Sequence, residues 1–382
     1  MSRSGLSMAV IVRQVLIVVA IVLAFVLGGY AAPYAAGGAI WLFGLVALGI
    51  AFFWLRPRPL AWHQAGLAHA IDAVLSVLLF VVLAMSLDGL PTGTQAGWPL
   101  WLFAFAAWLF AWSTVSQASA WRAAPQFKGV QSFGIPLLFG LTMLFLWEIA
   151  VRGANVPQVL LPAPSMIWTR LMASVPTLAA DFVQTFKAVL AGFALGCGSG
   201  FVVAILVDRS PFLKRGLLPI GNFVSALPII GIAPIMVMWF GFDWPSKAAV
   251  VVAMTFFPML VNTVAGLNAS SVIERDLMHT YAANYWETLL KLRLPAAAPF
   301  IFNALKINST LALIGAIVAE FFGTPIVGMG FRISTEVGKL NIDLVWAEIA
   351  VAAVAGSAFY GVIALIERAV TFWHPSIRGG RT

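Results

Sequence analysis

Uninterrupted apolar stretches limit what this chain can become: residues 15–29 read VLIVVAIVLAFVLGG, and runs of similar length recur to the carboxyl end. A helix needs about 20 mostly apolar residues to cross about 30 Å of hydrocarbon, because inside lipid every backbone N–H and C=O must be bonded within the protein. A closed barrel is the other spanning solution, but its strands alternate apolar and polar residues over about 10 positions, and these runs do not alternate. At 62% hydrophobic and 9% charged, the chain of 382 residues lies outside the composition of soluble domains. The expected fold is all-α and polytopic.

Apolar runs between charged or turn-rich segments give ten expected spans, at 10–29, 36–55, 65–87, 98–118, 132–151, 184–207, 217–241, 247–267, 297–321 and 345–367. Lys and Arg test the count, since cytoplasmic connections collect them. With the amino terminus inside, six of the 22 (Arg152, Arg170, Lys187, Lys247, Arg332 and Lys339) fall on the far side, and the other sixteen flank cytoplasmic segments. Ten spans with both termini cytoplasmic fit that asymmetry. The net charge of +8 then reads as topology rather than as a nucleic-acid footprint. The first run, with Arg3 and Arg13 before it and GGYAAPYAA after it, also has the outline of a cleaved signal peptide. More spans follow at once and the orientation works with it retained, so we read it as a span. Cys197 is the single cysteine, so no intramolecular disulfide is available.

The polar segment WRAAPQFKGVQS, residues 121–132, separates four front spans from six rear ones, and the expected module boundary lies there, dividing 1–131 from 132–382. In the front spans Asp72 and His69 are the ionisable residues at depth; such groups are either functional or part of helix packing. Between Arg152 and Val183, LPAPSMIWTRLMASV predicts a short helix capped by Ser165, with Met166, Ile167, Leu171 and Met172 on one side, lying at the outer interface. The second long outer connection, GTPIVGMGFRISTEVGKLNID, reads as a glycine-rich loop whose Arg332, Glu336, Lys339 and Asp343 have room to meet a partner or a solute.

The segment Asp276 to Pro295, DLMHTYAANYWETLLKLRLP, is the polar exception, and the charge rule places it in the cytoplasm. Read as a helix, it brings Tyr281, Tyr285 and Leu289 onto one face and pairs Glu287 with Lys291 at i,i+4. Aromatics beside the small Ala282 and Ala283 suit a protein groove; the same pattern suits a helix lying on lipid headgroups.

The residues here resemble a known family. With Asp276, Leu277 and Met278 at the Glu-Ala-Ala positions, Ala282 at the Gly, Leu292 at the Ile and Leu294-Pro295 at the Leu-Pro, the segment resembles the cytoplasmic signature loop of permease subunits of ATP-binding-cassette importers. LPAPSMIW, ALPIIGIAPIMVMWFGFDWPSK (226–247) and IVAEFFGTPIVGMGF, with Glu320 and the Gly328 to Gly330 pair, resemble the nitrate, sulfonate and taurine branch of those permeases, which includes thiamine-precursor and riboflavin systems. The likeness covers about residues 132–376 and implies a six-span type I permease core behind a four-span extension.

The resemblance implies a coupling loop at about 268–296, with a coupling helix at about Thr280 to Glu287 that docks on a separate ATPase. It assigns that contact to Asp276, Thr280, Tyr281, Ala282, Ala283, Asn284, Tyr285, Trp286, Glu287 and Pro295. ATP and Mg would sit on the partner ATPase pair and this chain would bind no cofactor or metal; it has no Gly-x-x-x-x-Gly-Lys-Ser/Thr, and Gly338-Lys339 lacks the first glycine and is followed by leucine. The expected partners are that ATPase pair, a soluble periplasmic or lipid-anchored substrate-binding protein, a second and identical permease chain, and membrane lipid, with no nucleic acid. The expected location is the cell inner membrane, multi-pass.

For the solute path, Pro228 and Pro234 each remove a backbone hydrogen bond, which is tolerated at depth where the freed carbonyl faces protein or a cavity. Ser225, Met236, Met238 and Trp239 on the same span, and Asn308, Ser309 and Thr310 on the ninth, are the pathway candidates. The Met and Trp positions serve helix packing equally well, and Asn308 serves an interhelical hydrogen bond. Glu320 is read either as an outer gate or as a cap on helix packing. The span interiors hold no cluster of Lys or Arg like the basic rings that select anions. That favours a small heterocycle, such as a thiamine-type pyrimidine precursor, over a sulfonate or nitrate. The alternative class is an ATP-independent secondary transporter or channel, marked by an intramembrane relay of Asp, Glu or His; His69, Asp72 and Glu148 show no evident pairing in sequence. Four scattered histidines and one cysteine make no catalytic constellation for a membrane enzyme.

Overall fold

The computed structural model of the chain describes residues 62–87, 95–121, 128–225, 228–323 and 326–373. Those residues are helical and contain no strand. Contacts divide the chain into two compact units, residues 1–168 and 169–382.

Unit 1 contains α1 (Trp62–Leu87), α2 (Trp98–Ala120) and α3 (Lys128–Gly153). They close around Phe80, Leu83, Phe103, Phe110 and Ile149, and the Phe80 and Phe145 rings stack at 5.7 Å. The Gln131 amide donates to the carbonyls of Ala118 and Trp121 at 2.6 and 2.7 Å, which holds the start of α3 against the end of α2. The compact units therefore divide beyond α3, C-terminal to the 131/132 boundary read from composition. Glu148 on α3 is not isolated: it accepts from Arg152 at 3.2 Å and from the Ser165 hydroxyl and N–H at 2.6 and 2.9 Å. Ser165 consequently does not cap α4 (Pro164–Ala173). It lies one residue inside that helix, where its backbone N–H is still free to bond outward.

Unit 2 continues with α5 (Val175–Arg209), α6 (Pro211–Ser225), α7 (Ile229–Phe240), α8 (Trp244–Leu267), α9 (Val272–Thr280), α10 (Tyr285–Thr288), a π-helical turn at Leu289–Arg293, α11 (Leu294–Glu320), α12 (Met329–Gly338) and α13 (Ile342–Val370). The core is α5 against α8 against α11. Gly192, Gly196 and Gly200 recur every fourth residue along α5, and a Cβ at any of them would press on α8, at Val251, Thr255 and the Phe256 carbonyl respectively. Small residues at this spacing let helix backbones approach closely, the main source of association where lipid removes the hydrophobic drive. The Asn308 amide on α11 crosses the same seam, donating to the Thr255 carbonyl at 2.8 Å and to Cys197 Sγ at 3.2 Å.

Six described helices are long and apolar enough to cross a membrane, and they coincide with the expected spans at 98–118, 132–151, 184–207, 247–267, 297–321 and 345–367. The span expected at 65–87 falls on α1. The one expected at 217–241 is described as two helices, α6 ending at Ser225 and α7 starting at Ile229, with Pro228 as the cap of α7. The expected spans 10–29 and 36–55 lie outside the described residues.

Candidate functional site

Two clusters of polar side chains lie at opposite ends of the unit 2 bundle. The first surrounds the connection from α8 to α11, where the sequence predicts one helix through Tyr281, Tyr285 and Leu289. The connection instead folds as α9, a turn, α10 and the π turn. Ser271 and Glu274 form a reciprocal capping box that starts α9, and Asn284 and Glu287 form a second that starts α10. Between them Ala282 takes φ 54°, the left-handed conformation that ends a helix. The expected coupling helix at Thr280 to Glu287 therefore spans the end of α9, the turn and the start of α10, and α9 is the longer helix of this connection.

The turn separates two groups of side chains. On α9 and just after it, Ile273, Leu277 and Tyr281 follow at i, i+4 and i+8 and are open, Ile273 at 81% and Tyr281 at 78% exposure, while Arg275 and Met278 turn towards the protein. Asp276 and Thr280 are also exposed, the Thr280 hydroxyl bonding back to the Asp276 carbonyl. Ala283 donates its N–H to Met278 O at 3.0 Å, closing the turn. Trp286 stays half open beside Tyr285, Glu287 meets Lys291 at 3.9 Å as the sequence spacing requires, and Pro295 sits in the first turn of α11.

Tyr285 points the other way, into a clamp. Its hydroxyl donates to Asp208 Oδ2 at 3.0 Å, and Arg293 grips the same carboxylate with both terminal nitrogens, at 2.7 and 2.6 Å. Arg293 Nε donates to the Leu267 carbonyl at 2.9 Å, so one guanidinium joins the last turns of α5 and α8 to the head of α11. The side chains of this pair are 12% and 4% exposed. Arg209 lies over the rings of Tyr285 and Trp286, 5.2 and 5.8 Å from their centroids.

Ala282 occupies the position where the resembled signature has glycine, and the backbone explains that preference. An L-residue there costs about 1–2 kcal/mol over glycine. Ala282→Gly should therefore raise the melting temperature of the purified protein without loss of uptake. Ala282→Val should lower both, since a branched Cβ fits φ 54° less well; equal melting of all three would refute the role of the turn.

The second cluster lies where α11 ends and α13 begins. Arg332 on α12 donates to Asp181 of α5 at 2.8 Å, and the Gly328 N–H donates to the same carboxylate at 2.7 Å. The Thr185 hydroxyl and the Gly330 N–H both donate to Glu320, at 2.8 and 2.7 Å, and Met329 N–H donates to Thr185. Gly328 takes φ 146°, and a Cβ on Gly330 would lie 2.8 Å from that of Glu320, so the Gly-x-Gly pattern has a physical reason at both positions. Glu336 accepts from Lys339 and Asn341 at 2.8 and 2.7 Å, and Arg170 meets Asp343 at 3.6 Å. The sequence pattern reads this connection as a glycine-rich loop with room to meet a partner or a solute. It is a helix whose charges are spent within the protein. The Asp181 bond holds Arg332 above its usual value; burial would raise Glu336, but its bonds to Lys339 and Asn341 prevail and hold it below the ordinary carboxylate range.

The pathway candidates do not gather into one lining. Asn308, Ser309 and Glu320 are buried in helix contacts, Glu320 as part of this cluster. Met236 packs on Ala233, Val250 and Ala319. Pro228 and Thr310 are exposed, Met238 (83%) and Trp239 lie open at the end of α7, Pro234 is inside α7, and Ser225 ends α6. Asp181, Thr185, Asp208, Arg293 and Glu348 escaped the sequence reading; Asp181 and Asp208 carried a usable signal as carboxylates at the two ends of one apolar run.

Residues 192–372 match the family described as the binding-protein-dependent transport system inner membrane component. The chain is 30% identical over 239 residues to the formylaminopyrimidine transport permease protein of Halalkalibacterium halodurans, covering 62% of this chain and 95% of that protein. It is 27% identical over 262 residues to the riboflavin transport system permease protein of Chloroflexus aurantiacus, covering 67% and 97%. A putative aliphatic sulfonates transport permease protein of Bacillus subtilis is 27% identical over 64% of this chain and 88% of its own length.

Proposed function

The chain belongs to the binding-protein-dependent inner-membrane permeases of ATP-binding-cassette importers, and on that premise we propose that it lines a small-solute pathway driven through residues 268–293 by a separate ATPase. It is a multi-pass membrane protein. The observation that carries the coupling reading is the open apolar stripe Ile273, Leu277, Tyr281, at helical spacing on a connection fixed by two capping boxes. An apolar stripe at helical spacing is what a groove on a partner takes up. Closure of an ATPase pair would push on α9. The Asp208–Arg293 clamp would pass the push to the ends of α5, α8 and α11, and their packing would convert it into alternating access. In this reading α9 is cytoplasmic and the Asp181–Glu320 cluster lies on the outer side, where a binding protein delivers solute to a pair of permease chains. The added membrane module ahead of that core then includes α1 and α2, with α3 packed against them.

A neutral or weakly charged heterocycle is the solute class we favour. Three cations of the unit 2 spans have partners within the protein: Lys247 Nζ donates to the Phe242 carbonyl, Lys306 meets Glu367 at 2.7 Å, and Lys187 lies 4.8 Å from the Trp244 ring centroid. Relatives named for riboflavin and for a formylaminopyrimidine support the same class over the sulfonate system. The test is to co-purify the partner binding protein and measure its melting against pyrimidines, flavins, sulfonates and nitrate. A ligand at about 100 times its dissociation constant stabilises by about 2.7 kcal/mol. We expect a pyrimidine or a flavin to raise the melting temperature; a rise with sulfonate or nitrate alone would overturn the heterocycle reading.

A further inference from the structure

Four helices bring acidic side chains to the end of the bundle where α12 packs: Asp181 on α5, Glu320 closing α11, Glu336 on α12 and Glu348 on α13. All four are buried, Asp181 and Glu348 completely. Three are supplied with donors. Asp181 has Arg332 and the Gly328 N–H, Glu320 has Thr185 and the Gly330 N–H, and Glu336 has Lys339 and Asn341. Glu348 differs: among the described residues no donor reaches either of its buried carboxyl oxygens, and the carboxyl beside it is that of Asp181.

A carboxylate removed from water with no donor is costly, and one set against a second carboxylate is costlier. Arg332 already spends its Nε on Asp181. A single proton removes both difficulties: it neutralises Glu348 and turns it into a donor towards the neighbour that can only accept. We propose that Glu348 and Asp181 form a proton-bridged carboxyl pair, a protonation site in which the Glu348 O–H donates to Asp181 and the pair carries one negative charge opposite Arg332. The site does not depend on which solute is carried or on how the ATPase docks.

The proton ties α13 to α5, and through Arg332 to α12. Losing it to solvent would leave two adjacent anions beside Glu320 and Glu336, with Arg332 as the facing cation.

The test uses the full-length protein in lipid nanodiscs. Infrared spectra at neutral pH should contain the carbonyl stretch of a protonated carboxylic acid, shifted by deuterium exchange, lost in Glu348→Gln and retained in Glu320→Gln. A band unchanged by Glu348→Gln would overturn the assignment. If Glu348→Gln fails to insert, absence of the band from wild type at neutral pH overturns it equally.

Discussion

Asp208→Ala should cut the stability of the purified protein by about 3–5 kcal/mol, because it strands the Arg293 guanidinium in a site where the ion pair is nearly closed to solvent. Three bonds are lost at once, two from Arg293 and one from the Tyr285 hydroxyl. The weakened end is also where the 268–293 connection is fastened to α5 and α8, so uptake should fall further than the amount of folded protein does. Asp208→Asn keeps the size and one acceptor and should fall between. Exchanging the pair, Asp208→Arg with Arg293→Asp, should recover part of the loss, since residues in contact couple by about 0.5–3 kcal/mol. Thermal unfolding and reconstituted uptake per folded molecule are the measurements. Wild-type melting together with wild-type uptake in Asp208→Ala would mean that the clamp holds nothing.

The opposite pattern is expected on the exposed stripe. Ile273→Asp and Tyr281→Asp alter side chains that are mostly open, so stability should change by about 0.5 kcal/mol or less. Docking contacts of this kind are worth about 2 kcal/mol or more when lost. Uptake and retention of the ATPase during purification should therefore fall about 30-fold while insertion and melting stay normal. Normal retention of the ATPase by both variants would return the stripe to the lipid-surface alternative. The two results separate a residue that fastens the connection from one that meets a partner.

Much of this architecture is legible in the chain because membrane spans are written in length and composition, which no distant contact overrides. The place of Pro228 at the cap of α7 suits its missing N–H, and the Glu287–Lys291 pair follows from helical spacing. The turn at Ala282 is less visible. Alanine is a helix former, and only the two capping boxes, Ser271 with Glu274 and Asn284 with Glu287, signal that one helix stops and another starts. The clamp and the acidic cluster are legible only in part. Asp208 and Arg293 are 85 residues apart, and Asp181 and Arg332 are 151 apart, so their pairing is set by which helix ends meet. Arg332, Glu336 and Lys339 read as free loop charges for the same reason, since a sequence shows a charge but not its counterion. Asn308 reads in the sequence as either pathway or packing, and its amide bonds the Thr255 carbonyl across the seam of α8 and α11.

The π turn at Leu289–Arg293 has a geometric consequence for the clamp. In a straight α-helix, residues eight apart sit about 80° apart around the axis. Tyr285 and Arg293 have that separation, yet both reach one carboxylate. A wider turn between them reduces the angular offset, so the extra residue acts as a phase correction that lets a single acceptor serve two donors. What matters to the clamp in this stretch is its length in residues. Exchanges of side chain at Leu290 or Lys291, which point to the surface, leave the phase intact, whereas removing one residue would rotate Tyr285 and the turn before it away from Asp208 as a block.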